Sequence, residues 1–550
     1  MNKSILSVRF AEILSGIGVG FTFGVGLTPL ALVGCQDKPV PGDDTADADT
    51  DTDADTDTDA DTDTECVPNG FSATAEDFLL PTAFSDDVYP DHALQTASGA
   101  RVCASGTGGY VWSRSDLDGD GVEDLIVHYD SCGSDTTLGA SHWSVALAGG
   151  DPAALVAWAL PSAFASGSYA ANALNGASGT RTFGSCGYVW SLNDLTGDGR
   201  PDLVLPYDTC GETPNVGAAT WEVYENTGAG FADTATEWTL PTAFAAAPYP
   251  GAALNSLAGT RTAGSCGYVW TTTDMDGDAR PDLVLPYDTC GGTGVGTDSW
   301  TVYPNTGVGF AAAATAYALP AYDPARYPAT PFNDTFGTRT CPDSATSFSW
   351  ALSDLNGDAR PDLVVPFDTC GTETGVGTSS WRVHLNGAAG FAAAQAFTLP
   401  SAFAASPYPA DALYALYGTR TCNTAEGYVW STQDLTGDGL ADLVVPYDTC
   451  GAALEPGSRF WKLYAGTGAS FDDTESQWAL PLAFTGGAYP SAPLNGTNGS
   501  RTCTNTGYYT WQTADESGDG VPDLLLTVDT CAGDAGLGDA KWLKYTGGCG

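Results

Sequence analysis

An Asp-rich turn recurs six times along the chain and could bind a metal ion. The first copy reads Asp-Leu-Asp-Gly-Asp-Gly-Val-Glu-Asp at residues 116–124, and the others begin at residues 194, 274, 354, 434 and 515. Calcium takes about six to eight oxygen ligands in loose geometry, and short carboxylate side chains at alternate positions of a glycine-containing turn supply them. The pattern predicts calcium turns, with ligands at positions one, three, five, seven (through the carbonyl) and nine.

We number the repeats one to six by these turns. The predicted ligands are Asp116, Asp118, Asp120, Val122, Asp124, Asp194, Thr196, Asp198, Arg200, Asp202, Asp274, Asp276, Asp278, Arg280, Asp282, Asp354, Asn356, Asp358, Arg360, Asp362, Asp434, Thr436, Asp438, Leu440, Asp442, Asp515, Ser517, Asp519, Val521 and Asp523. The strongest calcium sites are expected in repeats one and three, which carry the most carboxylates. Ala279 and Ala359 replace a glycine where the backbone needs a permissive conformation, which weakens the expectation for their turns. The alternative is that the Asp side chains cap metal-free turns, although clustered carboxylates repel one another.

Four strand-like stretches accompany each turn. In repeat two they span residues 187–194, 201–208, 221–226 and 237–240, where alternating and aromatic residues favour β-structure. A long connector rich in Pro, Gly and Ala leads to the next repeat. Four short strands and a long return are typical of a propeller blade, so six copies predict an all-β, six-bladed β-propeller of four-stranded blades over residues 66–550.

The repeats resemble the FG-GAP or VCBS family, the unit of the integrin α-subunit propeller. The resemblance rests on Asp-x-(Asp/Asn/Thr/Ser)-Gly-Asp-(Gly/Ala)-x-x-Asp followed by Leu, and on Trp-x-Val-Tyr-x-Asn-x-Gly-x-Gly-Phe. It implies that each turn joins the innermost and second strands of a blade. A fourth-strand phrase at residues 77–81 precedes repeat one, whereas repeat six stops after its third strand. One blade is therefore expected to combine both termini, the alternative being a leftover strand without a partner.

Fifteen cysteines indicate an exported protein with disulfide bonds. Each repeat holds one cysteine before the inner strand and one after the next antiparallel strand, so both lie at the same end of a hairpin. The predicted pairs are Cys103–Cys132, Cys186–Cys210, Cys266–Cys290, Cys341–Cys370, Cys422–Cys450, Cys503–Cys531 and, clasping the shared blade, Cys66–Cys549. Metal-thiolate sites are the alternative, but there is no Cys-x-x-Cys pair.

The N-terminal residues 1–34 resemble a bacterial lipoprotein signal peptide. They end in Leu32-Val33-Gly34 before Cys35, where the thiol would take a lipid. The alternative is a transmembrane helix. Residues 35–65 are then expected to form a disordered Asp/Thr-rich tether. This organisation predicts an exported chain held at the membrane by a lipid anchor, with the outer membrane or cell surface favoured.

The composition limits the function. A formal net charge of −48 excludes nucleic acid as a partner. Four histidines and no catalytic motif indicate that the protein is not an enzyme. We expect a monomeric propeller with a non-catalytic role in adhesion or in carbohydrate or protein recognition, through the face that carries the connectors. Tyrosines of the connectors mark this possible ligand face: Tyr89, Tyr249, Tyr327, Tyr408 and Tyr489. The alternatives are an enzyme on a propeller scaffold, such as a polysaccharide lyase, and a purely structural surface component.

Arginine, aspartate and tryptophan also recur at fixed positions. The arginines are Arg101, Arg181, Arg261, Arg339, Arg420 and Arg501, and the acids are Asp130, Asp208, Asp288, Asp368, Asp448 and Asp529. We expect structural Arg–carboxylate pairs beneath the connectors, the alternative being a ligand pocket in each blade. The tryptophans of the inner and third strands are expected in the core rather than as sugar platforms.

Overall fold

A computed structural model describes residues 69–150, 154–424, 426–450, 456–533 and 536–548. The predicted signal peptide, the lipidated Cys35, the acidic tether and the Cys66–Cys549 bridge lie outside the described residues. Within these ranges no helix is both long enough and apolar enough to cross a membrane.

Short strands make up most of the regular structure. In chain order they are β1 (Gly70–Phe71), β2 (Glu76–Leu79), β3 (Gly99–Val102), β4 (Gly109–Ser115), β5 (Asp124–Asp130), β6 (His142–Ala146), β7 (Val156–Ala159), β8 (Ser178–Phe183), β9 (Cys186–Asn193), β10 (Asp202–Asp208), β11 (Thr220–Tyr224), β12 (Thr236–Thr239), β13 (Gly259–Ala263), β14 (Cys266–Thr273), β15 (Asp282–Asp288), β16 (Ser299–Tyr303), β17 (Thr315–Ala318), β18 (Gly337–Thr340), β19 (Ser347–Ser353), β20 (Asp362–Asp368), β21 (Ser380–His384), β22 (Asn386–Gly387), β23 (Gly390–Phe391), β24 (Gln395–Thr398), β25 (Gly418–Thr421), β26 (Gly427–Gln433), β27 (Asp442–Asp448), β28 (Phe460–Tyr464), β29 (Ser476–Ala479), β30 (Gly499–Thr502), β31 (Tyr508–Ala514), β32 (Asp523–Asp529), β33 (Lys541–Tyr545) and β34 (Gly547–Gly548).

A single 3-10 turn begins five of the connectors. The turns span Thr82–Ser85, Ser162–Ala165, Thr242–Ala245, Ser401–Ala404 and Leu482–Thr485. A proline precedes each turn, and its fixed φ suits the start of a helical segment. Each turn also buries one phenylalanine, such as Phe84 or Phe164, which anchors the connector to the core.

The strands form an all-β propeller arrangement of successive sheets. Repeat two is representative, with the strand order β12-β11-β10-β9-β8 and antiparallel pairing throughout. The fifth strand, β8, contains the Gly-Thr-Arg-Thr phrase and pairs with β9 from Ser178↔Ser191 to Phe183↔Cys186. The prediction of four-stranded blades is therefore wrong. Because the phrase is short and polar, its sequence resembles a connector, and only pairing with β9 makes it a strand.

Two of the sheets are enlarged. Four sheets hold five strands, while the sheets of repeats three and five hold seven. In repeat three, β17 pairs in parallel with β23 of repeat four, and in repeat five β29 pairs in parallel with β1. Discrete five-stranded blades thus number four, not the expected six, because the short antiparallel pairs β22–β23 and β1–β34 extend the other two sheets.

N-terminal and C-terminal strands pair with each other in two sheets, those of repeats six and five. Strand β2 pairs with β33 of repeat six, in the register Glu76↔Lys544 to Leu79↔Lys541. Strand β1 also pairs with β34, which follows β33. The phrase at residues 77–81 therefore supplies the fourth strand that repeat six lacks, as the sequence predicts, and no leftover strand results.

The core lies between consecutive repeats. One apolar cluster joins Ile126 and Trp143 of repeat one to Trp190 and Leu203 of repeat two, and four more join the following pairs of repeats. A sixth cluster joins Trp542 of repeat six to the residues of repeat one, which include Trp112. We call this contact the closing junction. With the closing junction included, every repeat shares an apolar cluster with the repeat before it and with the repeat after it.

Both tryptophan sets lie in this core. Trp112 and Trp143 are buried, and their indole nitrogens donate to the connector carbonyls of Thr96 and Leu174, each at 2.8 Å. Buried indoles satisfied by backbone acceptors are structural. The equivalent tryptophans of the other repeats are also buried, which confirms the prediction that they are core residues and not sugar platforms.

All six predicted bridges within repeats are present. Their Cα–Cα distances run from 5.0 Å in Cys186–Cys210 to 5.8 Å in Cys341–Cys370. The pairs Cys103–Cys132, Cys266–Cys290 and Cys422–Cys450 fall within that range, as does the pair of repeat six. Each bridge ties the end of the hairpin opposite the Asp-rich turn.

Candidate metal centres and the connector face

The first Asp of each turn caps the backbone. In repeat one, Asp116 accepts hydrogen bonds from Gly119 N at 2.7 Å and from Gly121 N at 2.9 Å. The equivalent Asp of every other turn accepts the same two bonds. The turn conformation is therefore stable through its own hydrogen bonds, as the metal-free alternative requires.

The Asp at position nine links the turn to the segment that follows the third strand of the repeat, β6 in repeat one. Asp124 is fully buried and accepts from Leu117 N at 2.8 Å and from Ala148 N at 2.9 Å. Burial raises the pKa of Asp124 to about 6 and that of Asp282 to about 7, although backbone donors oppose the shift. These carboxylates have a structural role in addition to any ligand role.

Two turns bring three carboxylates together. Oxygens of Asp116, Asp118 and Asp120 lie within 4.8 Å of one another, as do those of Asp274, Asp276 and Asp282. The clusters fall in repeats one and three, the two turns expected to bind most strongly. Their all-oxygen donor sets fit a hard cation. Asp124 and Asp278, which were also predicted as ligands, are not members of these clusters.

In two turns, the arginine at position seven forms an ion pair with the Asp at position five. Arg200 pairs with Asp198 and Arg280 pairs with Asp278, each within a turn. A metal ion would compete with these guanidinium groups for the same oxygens. Val122 holds the equivalent position in repeat one, so Asp120 has no such competitor within its turn.

Alanine at the sixth position keeps the turn. Ala279 and Ala359 have φ values of +66° and +64°, in the left-handed region where Gly121 has +91°. The same two hydrogen bonds form around them, so these turns have the same local fold as the others. Alanine at this position introduces backbone strain and keeps the two hydrogen bonds of the turn.

The turns contact one another in sequence. The side chain at position seven of each turn lies against the position-four glycine of the preceding turn. These contacts are Arg200 on Gly119, Arg280 on Gly197, Arg360 on Gly277, Leu440 on Gly357, Val521 on Gly437 and Val122 on Gly518. The last contact returns from repeat six to repeat one, so all six turns lie on one face.

The connector tyrosines are part of the fold. Each hydroxyl donates to the recurring Asp of its own repeat: Tyr89 to Asp130, Tyr169 to Asp208, Tyr249 to Asp288, Tyr327 to Asp368, Tyr408 to Asp448 and Tyr489 to Asp529. Tyr89, Tyr327 and Tyr489 are buried, and Tyr249 and Tyr408 are half-buried. Ring and hydroxyl of each tyrosine hold the connector to the sheet, and the assignment of these residues to a ligand face stays a prediction.

The recurring arginines bind carbonyl groups of their connectors, and Arg420 also pairs with the Asp411 carboxylate at 3.1 Å. Arg101 donates to the carbonyls of Asp91 and His92, and Arg420 donates to the Asp411 carbonyl at 2.5 Å. The remaining four make the same contact with their connectors. The predicted pairs of these arginines with the recurring Asp residues do not form, because the guanidinium groups donate to the connector carbonyls. The carbonyl acceptors lie nine residues before each arginine, where the connector turns back.

Sequence reasoning missed the residue that follows the third-strand Trp. It is Ser144, Glu222, Thr301, Arg382, Lys462 or Leu543 in repeats one to six. Arg382 Nη1 donates to Asp368 Oδ2 at 2.7 Å and Lys462 Nζ to Asp448 Oδ2 at 2.9 Å. The sequence signal that could have revealed it is the variation of this position in charge and size between repeats whose neighbouring positions are alike.

Comparison with known proteins gives fold-level likeness only. No family model and no curated protein matches the chain. Among solved structures, the Photorhabdus luminescens Tc holotoxin pore (mutation TccC3-D651A) matches 88% of this chain and 15% of that chain, at 15% identity and a TM-score of 0.40. A lectin of Agrocybe aegerita, described as recognising non-reducing terminal N-acetylglucosamine, matches 77% of this chain and 76% of that chain, at 15% identity and a TM-score of 0.35. TM-scores at this level carry no argument about function.

Proposed function

We propose that this protein is a lipid-anchored surface protein whose calcium-stabilised, six-bladed propeller presents a non-catalytic binding face. The two enlarged sheets each contain a complete five-stranded repeat and would serve as blades beside the other four. Support for a ring of six comes from the apolar cluster at the closing junction and from the Val122–Gly518 contact. The turns fit the FG-GAP or VCBS pattern that the sequence resembles.

Calcium would bind first in the turns of repeats one and three. The supporting observation is the pair of three-carboxylate clusters, whose mutual repulsion a cation would relieve. The side chains of Asp116, Asp118 and Asp120 would hold the ion in repeat one, and those of Asp274, Asp276 and Asp282 in repeat three. An ion that binds only the folded chain stabilises it.

Calcium titration of single variants tests this assignment. Asp116→Asn and Asp274→Asn should each remove one high-affinity ion, and a chelator should lower the melting temperature of the wild type. Asp434→Asn in repeat five is the matched control, because Thr436 leaves that turn with one carboxylate fewer. Calorimetry without calcium uptake, together with a melting temperature that a chelator does not change, would refute the proposal.

The binding role is carried by exposed aromatic side chains on the connectors. Phe336 and Tyr417 are 59% and 69% exposed, and each immediately precedes an edge strand, β18 or β25, in neighbouring repeats. Phe183 at the end of β8 is also exposed. Exposed aromatic residues on loops of a rigid scaffold are common in recognition surfaces, for glycans as for proteins.

A glycan and matrix-protein binding screen tests this face. The double variant Phe336→Ala/Tyr417→Ala should lose binding while its melting temperature stays unchanged, because neither ring is buried. Val308→Ala is the control, since Val308 is 67% exposed on a hairpin beside the turns. Equal loss in the control would place the ligand elsewhere. Cleavage of a glycan would favour the enzyme alternative, and no binding at all would favour a structural component.

The lipid anchor is a separate part of the proposal and rests on Leu32-Val33-Gly34-Cys35. A chain labelled with a fatty-acid analogue should lose the label in Cys35→Ala. Fractionation of cells should then release the variant from the membrane. A labelled Cys35→Ala protein would refute lipidation at this residue.

A further inference from the structure

Two repeats place a side-chain cation against the buried Asp beneath the connector. In repeat four, Asp368 Oδ2 accepts both the Tyr327 hydroxyl and Arg382 Nη1. In repeat five, Lys462 Nζ reaches Asp448 Oδ2 at 2.9 Å. A second acid, Glu373 or Glu475, lies on the other side of each cation. The position after the third-strand Trp therefore points into a carboxylate site that accommodates positive charge.

Repeat two places an acid at this position. Glu222 is only 5% exposed, and its Oε2 has no hydrogen-bond partner. Its neighbour Asp208 is also buried, and it accepts from Cys210 N at 2.6 Å and from the Tyr169 hydroxyl. Burial raises the pKa of Glu222; a hydrogen bond with Thr213 opposes the shift, and the charge of Asp208 adds to it. Two buried carboxylates thus share a site that in repeats four and five contains a cation, and an uncompensated buried charge is costly.

We propose that repeat two holds a second kind of metal site, in which Glu222 and Asp208 bind one hard cation where repeats four and five have Arg382 and Lys462. A glutamate side chain is shorter than a lysine, so an ion takes the place of the ammonium group between the two carboxylates. The hydroxyl of Tyr169 donates to Asp208, and the hydroxyl of Thr213 forms a hydrogen bond with Glu222. All of these side-chain groups around the site are therefore oxygens. Two carboxylates match a divalent ion of the calcium type.

The loop that covers this site is exposed to solvent. Thr209, Gly211, Glu212 and Pro214 are exposed, and Thr213 is half-buried. The site lies at the disulfide end of the hairpin, opposite the Asp-rich turns, so turn variants leave its ligands intact. It also does not depend on the calcium proposal for the turns.

Counting bound ions per chain by native mass spectrometry with calcium alone tests the proposal. Glu222→Lys copies the arrangement of Lys462 and should bind one ion fewer than the wild type, as should Glu222→Gln. Asp116→Asn/Asp274→Asn should remove turn ions and keep this one. In repeat three, where Thr301 occupies the same position beside Asp288, Thr301→Glu should add one ion.

An unchanged ion count in Glu222→Lys and Glu222→Gln would overturn the proposal, whatever the turn variants do. A count that stays the same in Thr301→Glu would also contradict it, provided that the variant keeps its six disulfide bonds and its melting transition. Loss of ions only in the turn variants would leave the calcium turns standing and refute this site alone.

Discussion

A buried ion pair holds the closing junction together. Arg114 of repeat one donates through Nη2 to Glu516 Oε2 of repeat six at 2.5 Å and to the Glu123 carbonyl at 2.7 Å. The two side chains are 2% and 0% exposed. The guanidinium also lies 5.5 Å from the centre of the Phe78 ring. This junction is thus unlike the others, which have Leu or Met at the position of Glu516 and uncharged Leu or Thr at the position of Arg114.

The junction of repeats one and two offers the matched comparison. Leu117 and Leu192 occupy the positions of Glu516 and Arg114, and both belong to one apolar cluster. Breaking a buried ion pair by removing one partner costs about 3 to 5 kcal/mol, because the remaining charge stays buried. Replacing both partners by apolar residues of similar volume is often neutral or stabilising by about 1 to 4 kcal/mol.

We therefore expect Arg114→Leu and Glu516→Leu each to lower the free energy of unfolding at pH 7 by about 3 to 5 kcal/mol. The double variant Arg114→Leu/Glu516→Leu should recover wild-type stability within about 1 kcal/mol or exceed it, so that the double-mutant cycle shows strong coupling. Denaturant unfolding of the disulfide-bonded chain, followed by tryptophan fluorescence, measures all four proteins. Additive losses in the double variant would refute the reasoning.

Three further predictions concern single side chains. Burial lowers the pKa of His128 to about 3, from 6.5 in the unfolded chain. Between these pH values the unfolded chain binds more protons than the folded chain. The contribution of neutral His128 to the free energy of unfolding is therefore fully present above pH 6.5 and falls by up to about 4 to 5 kcal/mol toward pH 3. His128→Thr, which copies Thr527 of repeat six, should remove this part of the acid dependence in melting experiments, and an unaltered pH profile would contradict it. Tyr489→Phe should cost about 1.5 to 3 kcal/mol through the lost bond to Asp529, measured by denaturant unfolding, and a neutral effect would show that the bond contributes nothing net. Ala359→Gly should stabilise the chain by about 0.5 to 1 kcal/mol by relieving the left-handed backbone; a lower melting temperature would argue against strain there.

Part of the candidate site was predictable because it depends on neighbours in the sequence. The first Asp of each turn bonds to N–H groups three and five residues later, so the motif predicts its own local conformation. The same is true of the hairpin that follows, which brings the two cysteines of a repeat together. The sheet partner of residues 77–81 was also predictable. Repeat six lacks its last strand, and residues 77–81 form a strand without a repeat of their own, so the two are expected to pair.

Other features were decided by the tertiary structure. The tyrosines near the connector prolines looked available for ligands, yet the connector folds back and brings each hydroxyl to an Asp 39 to 41 residues away. The recurring Arg donates to carbonyl groups of the connector instead. Which acceptor a long side chain finds depends on every group within its reach, and such competition cannot be derived from periodicity.

The sequence by itself therefore determined the repeat, its strands and turns, the six bridges within repeats and the shared terminal sheet, because each follows from local pattern or from covalent order. The tertiary structure decided the fifth strand of each sheet, the partners of the recurring Tyr and Arg, and the burial of Glu222 against Asp208. These depend on packing between segments distant in the chain. A short polar phrase such as Gly-Thr-Arg-Thr becomes a strand only when a neighbouring edge supplies its hydrogen bonds.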